Sequence, residues 1–507
     1  MDHTTADMLA PDAVLPDMLA TKPLSLAYAE RHGVLFEHNH KGTLLLCRSD
    51  TSLRVLHEAQ RGAGQYCQIK RLSAEEFAQR LQAQQDTSAN QTITSIDEIG
   101  DEVTLDFDRL IGELDDQPED LLDGSEDAPI IRLLNALFTQ ALQYNASDLH
   151  IEQYEDYLRV RMRVDGELQQ ILRNKRSLAP LLISRIKVMA KLDIAEKRLP
   201  QDGRIALRLG QRQVDVRVST MPSGVGERAV LRLLDKSAGR LDLRDLGMPE
   251  KAEQTLDQII RKPHGMLLVT GPTGSGKTTT LYAALTRLND HKRNIMTVED
   301  PIEYDLEGIN QTQMNAKIGM TFAHGLRAIL RQDPDVVMVG EIRDIETSEI
   351  AVQASLTGHM VFSTLHTNTA IGAITRLRDM GVEPFLLASS VSGLLAQRLV
   401  RQLCVDCAQK YHPDQAERER LGVEPTAVLR RPKGCKTCNQ TGYMGRIGVY
   451  ELIAMDDVLR EYIHAEASED IMLTHVRQTS QSLVDSAMDL VRQGKTSYEE
   501  VLRVIGV

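Results

Sequence analysis

Four short, mostly apolar runs between residues 265 and 366 each stop abruptly at polar or charged residues. Residues 266–270 lead into Gly271, and 295–298 end at Glu299 and Asp300, with Glu303 just after Pro301. Residues 336–339 end at Gly340 and Glu341, and 360–365 end at His366. Continuous apolar runs of this length predict buried parallel strands, and an open parallel sheet carries its ligands at the carboxyl ends of its strands. The polar groups at those ends are therefore expected to converge on one site. Arg327 and Arg331 lie four apart in a helical stretch, which predicts a shared helix face, turned toward a strand.

Upstream the period changes. Leu158, Val160, Met162 and Val164 alternate with Arg159, Arg161 and Arg163, the pattern of a half-buried strand with an arginine-lined outer face. Arginine recurs at Arg217, Arg228 and Arg232. A solvated strand face explains such residues as readily as a site does, unless something anionic lies opposite. Ile131, Leu134, Leu137 and Leu142 follow helical spacing ahead of that strand. Nearer the amino terminus, an amphipathic start at 24–29 and an apolar strand at 43–47 indicate a small α/β unit without a catalytic arrangement.

At 507 residues the chain is too long for one core. We expect an α/β multidomain protein divided into 1–95, a linker over 96–127, 128–240, 241–396, 397–445 and a helical region over 446–507. The net charge of −13 at first argues against anionic partners, but residues 97–127 contain fourteen Asp or Glu and only Arg109 among bases. Elsewhere 58 basic residues face 58 acidic ones, so phosphate or membrane binding by the remainder is not excluded. Like-charge repulsion makes the acidic stretch a solvated spacer. With no Trp and 4% aromatics, stacking on single-stranded nucleic acid is poorly supported, and no nucleic-acid partner is expected. No apolar run approaches the roughly 20 residues of a membrane span, and a signal peptide is lacking, so a cytoplasmic location is expected.

The first apolar run introduces GPTGSGKTT, comprising Gly271, Pro272, Thr273, Gly274, Ser275, Gly276, Lys277, Thr278 and Thr279. This fits a phosphate-binding loop between a strand and a helix. Glycines let backbone N–H groups turn inward around phosphate, Lys277 reaches the β/γ oxygens, and Thr278 can hold Mg²⁺. A GTP-dependent switch lacks its base-reading N-K-x-D motif here, since Asn174-Lys175 is followed by Arg and Ser. Where a magnesium-binding aspartate would ordinarily end the third run, Gly340 stands, with Glu341 next. Magnesium keeps several waters and takes few protein ligands, so this loss is tolerable. Glu341 is then placed to orient or deprotonate the attacking water, and the rival reading is a fold that binds nucleotide without turnover. His359 and His366 are candidate γ-phosphate sensors, and an arginine such as Arg327 or Arg331 delivered from a neighbouring subunit would make the site depend on assembly.

Cys404-Val-Asp-Cys407 and Cys435-Lys-Thr-Cys438 are separated by 27 residues. Two such knuckles can supply four thiolates to a tetrahedral Zn²⁺, leaving no open position, so the metal would be architectural. An insertion over 412–431 accounts for the long spacing. Redox cysteines and plain packing are the alternatives.

Taken together, the stretches SDLHIE, KLDIAEKRLPQDGRI, GPTGSGKTTTLY, TVEDPIEY, DVVMVGEIRD, TGHMVFSTLH and the paired CxxC, spread over residues 127–450, resemble the secretion and pilus-assembly ATPases, most closely the type II secretion branch. The resemblance implies a hexameric ring using ATP, Mg²⁺ and Zn²⁺, in which a PAS-like domain (128–240) packs on a RecA-like ATPase domain (241–396) carrying a tetracysteine module (397–445). It also implies that Glu299, Asp300 and Glu303 form an aspartate box, that VGEIRD is an atypical Walker B, and that His359 and His366 form a histidine box. Arg217, Arg232, Arg327, Arg331 and Arg343 match family arginines that approach nucleotide within or between subunits. Through PLSLAYAERHGV at 23–34, residues 1–95 are similar to the unit that docks on the cytoplasmic domain of the inner-membrane L component, giving peripheral association with the bacterial inner membrane. The inner-membrane platform protein and anionic phospholipid are further implied partners, pseudopilus assembly the implied work, and type IV pilus assembly the alternative.

Overall fold

The computed structural model describes most positions between 33 and 80, and residues 129–209, 212–235 and 242–506. The expected amphipathic start at 24–29 and the acidic spacer at 96–127 lie outside the described residues. The chain forms two units, Met1–Leu105 and Asp106–Val507.

The first unit contains β1 (Val34–Asn39), β2 (Gly42–Arg48) and β3 (Gln68–Leu72), with β2 antiparallel to β1 and parallel to β3. Alternate residues of β2 serve two small cores. Leu45 and Cys47 join Val34, Leu56 and Ala59, whereas Leu46 joins Leu35, Leu72 and Phe77.

Among the described residues, the second unit opens with the helix Pro129–Gln143, followed by six antiparallel strands: β4 (Asp148–Gln153), β5 (Tyr157–Val164), β6 (Glu167–Lys175), β7 (Gln201–Leu209), β8 (Arg212–Ser223) and β9 (Gly226–Asp235), ordered β6-β5-β4-β9-β8-β7. That helix and Leu178–Met189 cover the apolar face of the sheet. The first helix buries Leu134 and Leu137 as expected, but its buried stripe is completed by Ile130, Leu133, Phe138 and Ala141. Ile131 and Leu142 sit at its margins. In β5, Leu158, Val160 and Met162 are buried and the three arginines are not, as the alternation predicts.

A second sheet follows, built from β10 (Gly265–Thr270), β11 (Ile295–Glu299), β12 (Asn310–Gln313), β13 (Val336–Val339), β14 (Met360–Leu365) and β15 (Val391–Leu403). These are parallel in the order β12-β11-β13-β14-β10-β15. After a small hairpin of β16 (Gln409–Tyr411) and β17 (Leu429–Arg431), β18 (Tyr443–Ala454) returns antiparallel to β15. Two boundaries drawn from sequence, 396/397 and 445/446, thus fall inside paired strands. The cysteine module is inserted between β15 and β18, and the helical carboxyl terminus begins at Asp457, after the last strand.

Candidate active site

Every residue of β10 is buried, and its register sets Thr270 opposite Leu365 of β14 and Ala396 of β15. The phosphate loop therefore emerges between the segment that follows β14 and the continuing second half of β15. Gly271 (φ +150°) comes so close to β15 that a Cβ would lie 2.5 Å from the Gln397 carbonyl oxygen and 2.6 Å from Ser275 Oγ. Gly276 (φ +85°) turns the chain into the helix Lys277–Leu288, whose free N–H groups and dipole favour an anion. Lys277 is 9% exposed and donates to the carbonyls of Gly271 (2.8 Å) and Pro272 (3.1 Å). Burial pulls its ammonium down to about 8. Ser275 Oγ is buried without a hydrogen-bond partner. A desolvated cation, an orphan hydroxyl and the helix start fit the phosphates of ATP, with Thr278 in the first turn able to hold Mg²⁺.

Beyond β13, Glu341 pairs with Arg343 and lies 3.3 Å from His366 Nε2, at the end of the adjacent β14. Burial would raise the Glu341 carboxyl, but Arg343 and His366 outweigh it and hold it below its ordinary range. The glycine before it has a structural cause. Gly340 N donates to Val298 O (2.8 Å), and Gly340 O accepts from Thr364 Oγ1 (2.7 Å), so the peptide groups on its two sides are held by β11 and β14 respectively. A Cβ there would meet Val298 O and Phe322, each at 3.3 Å.

The acidic segment after β11 divides its groups. Glu299 is 2% exposed and takes hydrogen bonds from Tyr282, Thr297 Oγ1 (2.5 Å) and Gln311 Nε2 (3.1 Å), so it faces the interior. Burial holds its carboxyl above the ordinary range. Asp300 is exposed, and Glu303 lies 3.4 Å from Arg217 Nη1, whose Nη2 also donates to Ile302 O (2.8 Å). The anionic counterpart that would give the arginine-lined sheet a purpose is thus present for Arg217. Arg232 instead pairs with Asp148 (3.0 Å) beside it on the sheet, and both line a cleft of about 410 Å³ that Arg217 also borders.

Three expectations are corrected. His359 does not join His366, because it precedes β14 at the amino edge of the sheet, where its Nδ1 lies 2.9 Å from Ala354 O. Seven residues of extended chain put roughly 23 Å between the two histidines. Arg327 and Arg331 do not face a strand: the helix Phe322–Ile329 turns Phe322, Leu326 and Ile329 inward, leaving Arg327 exposed and paired with Glu346 (2.8 Å). Arg331 lies past that helix and donates to Arg327 O (2.9 Å). Glu299, finally, does not share the phosphate-facing edge with Glu341.

Sequence reasoning overlooked Arg398, which follows the buried run of β15. It donates to Asn368 Oδ1 (3.0 Å), and a Cβ on Gly271 would lie 3.3 Å from its Nη1. It sits inside β15 rather than at its carboxyl end, so the strand-end rule does not point to it.

The cysteine Sγ atoms of Cys404, Cys407, Cys435 and Cys438 all lie within 4.8 Å of one another. Separations of 3.8, 3.7 and 3.6 Å for 404–435, 407–438 and 435–438 match the edge of about 3.8 Å that Zn–S bonds of about 2.3 Å give a tetrahedron. Backbone N–H groups of Cys435 and Gly442 each approach Cys438 Sγ at 3.2 Å, as donors to a thiolate would. The donor set fits Zn²⁺. The insertion between the knuckles holds the β16–β17 hairpin and the helix Gln415–Leu421 with its capping box.

A phosphate loop at the carboxyl edge of a parallel sheet, flanked on neighbouring strands by a carboxylate and a histidine, defines a P-loop ATPase. Residues 123–503 match the model of the type II/IV secretion system protein family, and 23–84 match the model of an amino-terminal domain of GSPII protein E. The type II secretion system protein E of Pseudomonas aeruginosa is 57% identical over 97% of this chain and 99% of its own length. The type II secretion system ATPase E of Vibrio cholerae is 56% identical, covering 89% of this chain and 90% of that one. The pilus retraction motor PilT, solved with bound ADP, is 27% identical with a TM-score of 0.50, over 72% of this chain and 95% of PilT. The chain belongs to the type II/IV secretion system protein family and groups there with the type II secretion ATPases.

Proposed function

We propose that this ATPase works as a homo-hexamer whose ATP-driven domain closure powers pseudopilus assembly in type II secretion. The observation that supports this most is that Glu341 and His366 meet beyond the ends of β13 and β14, next to β10, whose loop carries Lys277. The phosphate loop, from Gly271 to Thr279, grips the β- and γ-phosphates, and Lys277 regains its full charge against them. Thr278 would hold Mg²⁺, which when bound would supply electrophilic help at the phosphate oxygens. Glu341, kept ionised by Arg343 and His366, orients the attacking water. Arg217 senses closure through the Glu303 segment, and Arg232, Arg327 and Arg331 act between subunits.

In this reading residues 1–95 dock on the cytoplasmic domain of the inner-membrane L component, 96–127 are a tether, 128–240 a PAS-like domain and 241–396 the RecA-like core. Zn²⁺ on the four cysteines is architectural. The platform protein and anionic phospholipid complete the inner-membrane contacts of a cytoplasmic, peripherally attached enzyme. Among the described residues no helix is long and apolar enough to cross a membrane, which is consistent with docking through a partner. The test is capture by the full chain of the L-component fragment, with phosphate release measured alongside. Capture that accelerates hydrolysis supports the proposal, whereas capture of pilus platform components alone points to type IV pilus assembly.

A further inference from the structure

Tyr282 lies on the helix that starts at Lys277 and is 1% exposed, its ring edge-on to Tyr304 at 4.7 Å. Its hydroxyl is where three elements meet. It donates to Glu299 at the end of β11, and it accepts from the Glu303 backbone N–H (3.3 Å) and from Gln311 Nε2 of β12 (3.3 Å). Gln311 closes the ring by also donating to Glu299 (3.1 Å) and to Tyr304 O (3.2 Å). A buried polar network whose members satisfy one another is rigid. Ile302 and Glu303, held on this side through Tyr282, are gripped on the other by Arg217. The grip comes from β8, in the neighbouring sheet domain.

We infer that Tyr282 is a positioning residue that ties the phosphate-loop helix to the 302–303 segment, so that nucleotide at the loop is communicated to Arg217 and the sheet domain. A core tyrosine with a satisfied hydroxyl would account for the burial alone. It would not account for the hydroxyl meeting the very backbone segment that the other domain holds. The inference rests on the reading of the Lys277 loop as the nucleotide site.

Tyr282→Phe keeps the ring and removes the hydroxyl. In hydrogen exchange on the full-length chain, ATP with Mg²⁺ is expected to protect residues 271–279 in both wild type and variant. It should alter exchange at 300–304 only in the wild type. In steady state, kcat should fall about five- to tenfold, the low end of a coupling between sites, in Tyr282→Phe and in Arg217→Ala alike. The double variant should be no worse than the poorer single one, with KM for ATP kept within about twofold, as expected for a lost transition-state contribution. Multiplying kcat losses, or a nucleotide response at 300–304 that survives Tyr282→Phe, would overturn the inference. Gln311→Leu removes the donor on the other side of the hydroxyl from outside the helix, and should give the same loss if Tyr282→Phe does not fold. A wild type that binds ATP without turnover would count against the hydrolase reading alone, because the exchange measurement still decides the relay.

Discussion

Glu341 and His366 face each other at 3.3 Å, one beyond the end of β13 and the other at the end of the adjacent β14. Their approach follows from register: Val339 pairs with Ser363, so the two chains leave the sheet side by side. The peptide groups before and after Gly340 are fixed there, one by β11 and the other by β14. A carboxylate one residue later than usual is therefore delivered by a peptide that cannot swing.

That rigidity has a cost that can be measured. In Gly340→Ala the new methyl would press on Val298 O and Phe322 at 3.3 Å, and the backbone oxygen cannot yield without breaking the Gly340 N–H bond it accepts. We expect a loss of about 1 kcal/mol, at the low end of overpacking, read by denaturant unfolding. Unchanged stability would mean that β11 and β13 separate easily.

Lys277 gives a pH signature. Its folded value is depressed from 10.5 to about 8 by burial, so between those values the unfolded chain holds a proton that the folded one lacks. Its contribution to stability therefore rises with pH through that window and is unfavourable below it. Bound phosphate restores the charge, so ATP binding at about pH 8.5 should take up a fraction of a proton. Calorimetry in buffers of different ionisation enthalpy reads this, and Lys277→Gln should abolish it.

Much of this site could be read from the chain because Glu341 and His366 sit one or two residues beyond apolar runs, and the Gly-rich loop that carries Lys277 and Thr278 follows another. Glu341, Lys277, Thr278 and His366 all obey the strand-end rule. His359 failed it by lying on the wrong side of the same run, a distinction that depends on strand direction and not on composition. Helical spacing showed that Arg327 and Arg331 were neighbours but not which face the core would claim. Phe322, Leu326 and Ile329 claimed the other one. Arg217 and Ile302 are 85 residues apart, and Tyr282 reads as one more apolar position of an amphipathic helix, so neither contact leaves a local trace. Arg398 was hidden because it lies within β15, short of the strand's carboxyl end.

The root of the cysteine module carries its own ion cluster. Glu500 has a fully buried side chain and is paired with Arg401 (2.7 Å) and Arg503 (2.6 Å), and Arg401 also reaches Glu167 at the turn into β6 (2.5 Å). Burial would raise the Glu500 carboxyl, but Arg503 and Arg401 outweigh it and hold it low. The stability it contributes is present above the ordinary carboxylate range and is lost as pH falls through its depressed folded value. Arg401→Ala should remove about 3 kcal/mol at neutral pH, since Glu500 keeps only Arg503 as an ion-pair partner, and urea unfolding across the acid range checks both statements.

Metal removal should act on the same region. Purified protein is expected to contain about one zinc ion per chain, and Cys435→Ser to lose it. The readout is a lower unfolding temperature together with faster exchange in β15 and β18, while ATP affinity is retained. Full metal content in Cys435→Ser would contradict a four-thiolate site.

The most direct test is single-turnover phosphate release from the assembled enzyme saturated with ATP and Mg²⁺, comparing wild type with Glu341→Gln. The account predicts unchanged nucleotide binding and a rate lower by about 10²- to 10⁴-fold, the worth of a positioned general base. Equal rates in the two proteins would contradict it.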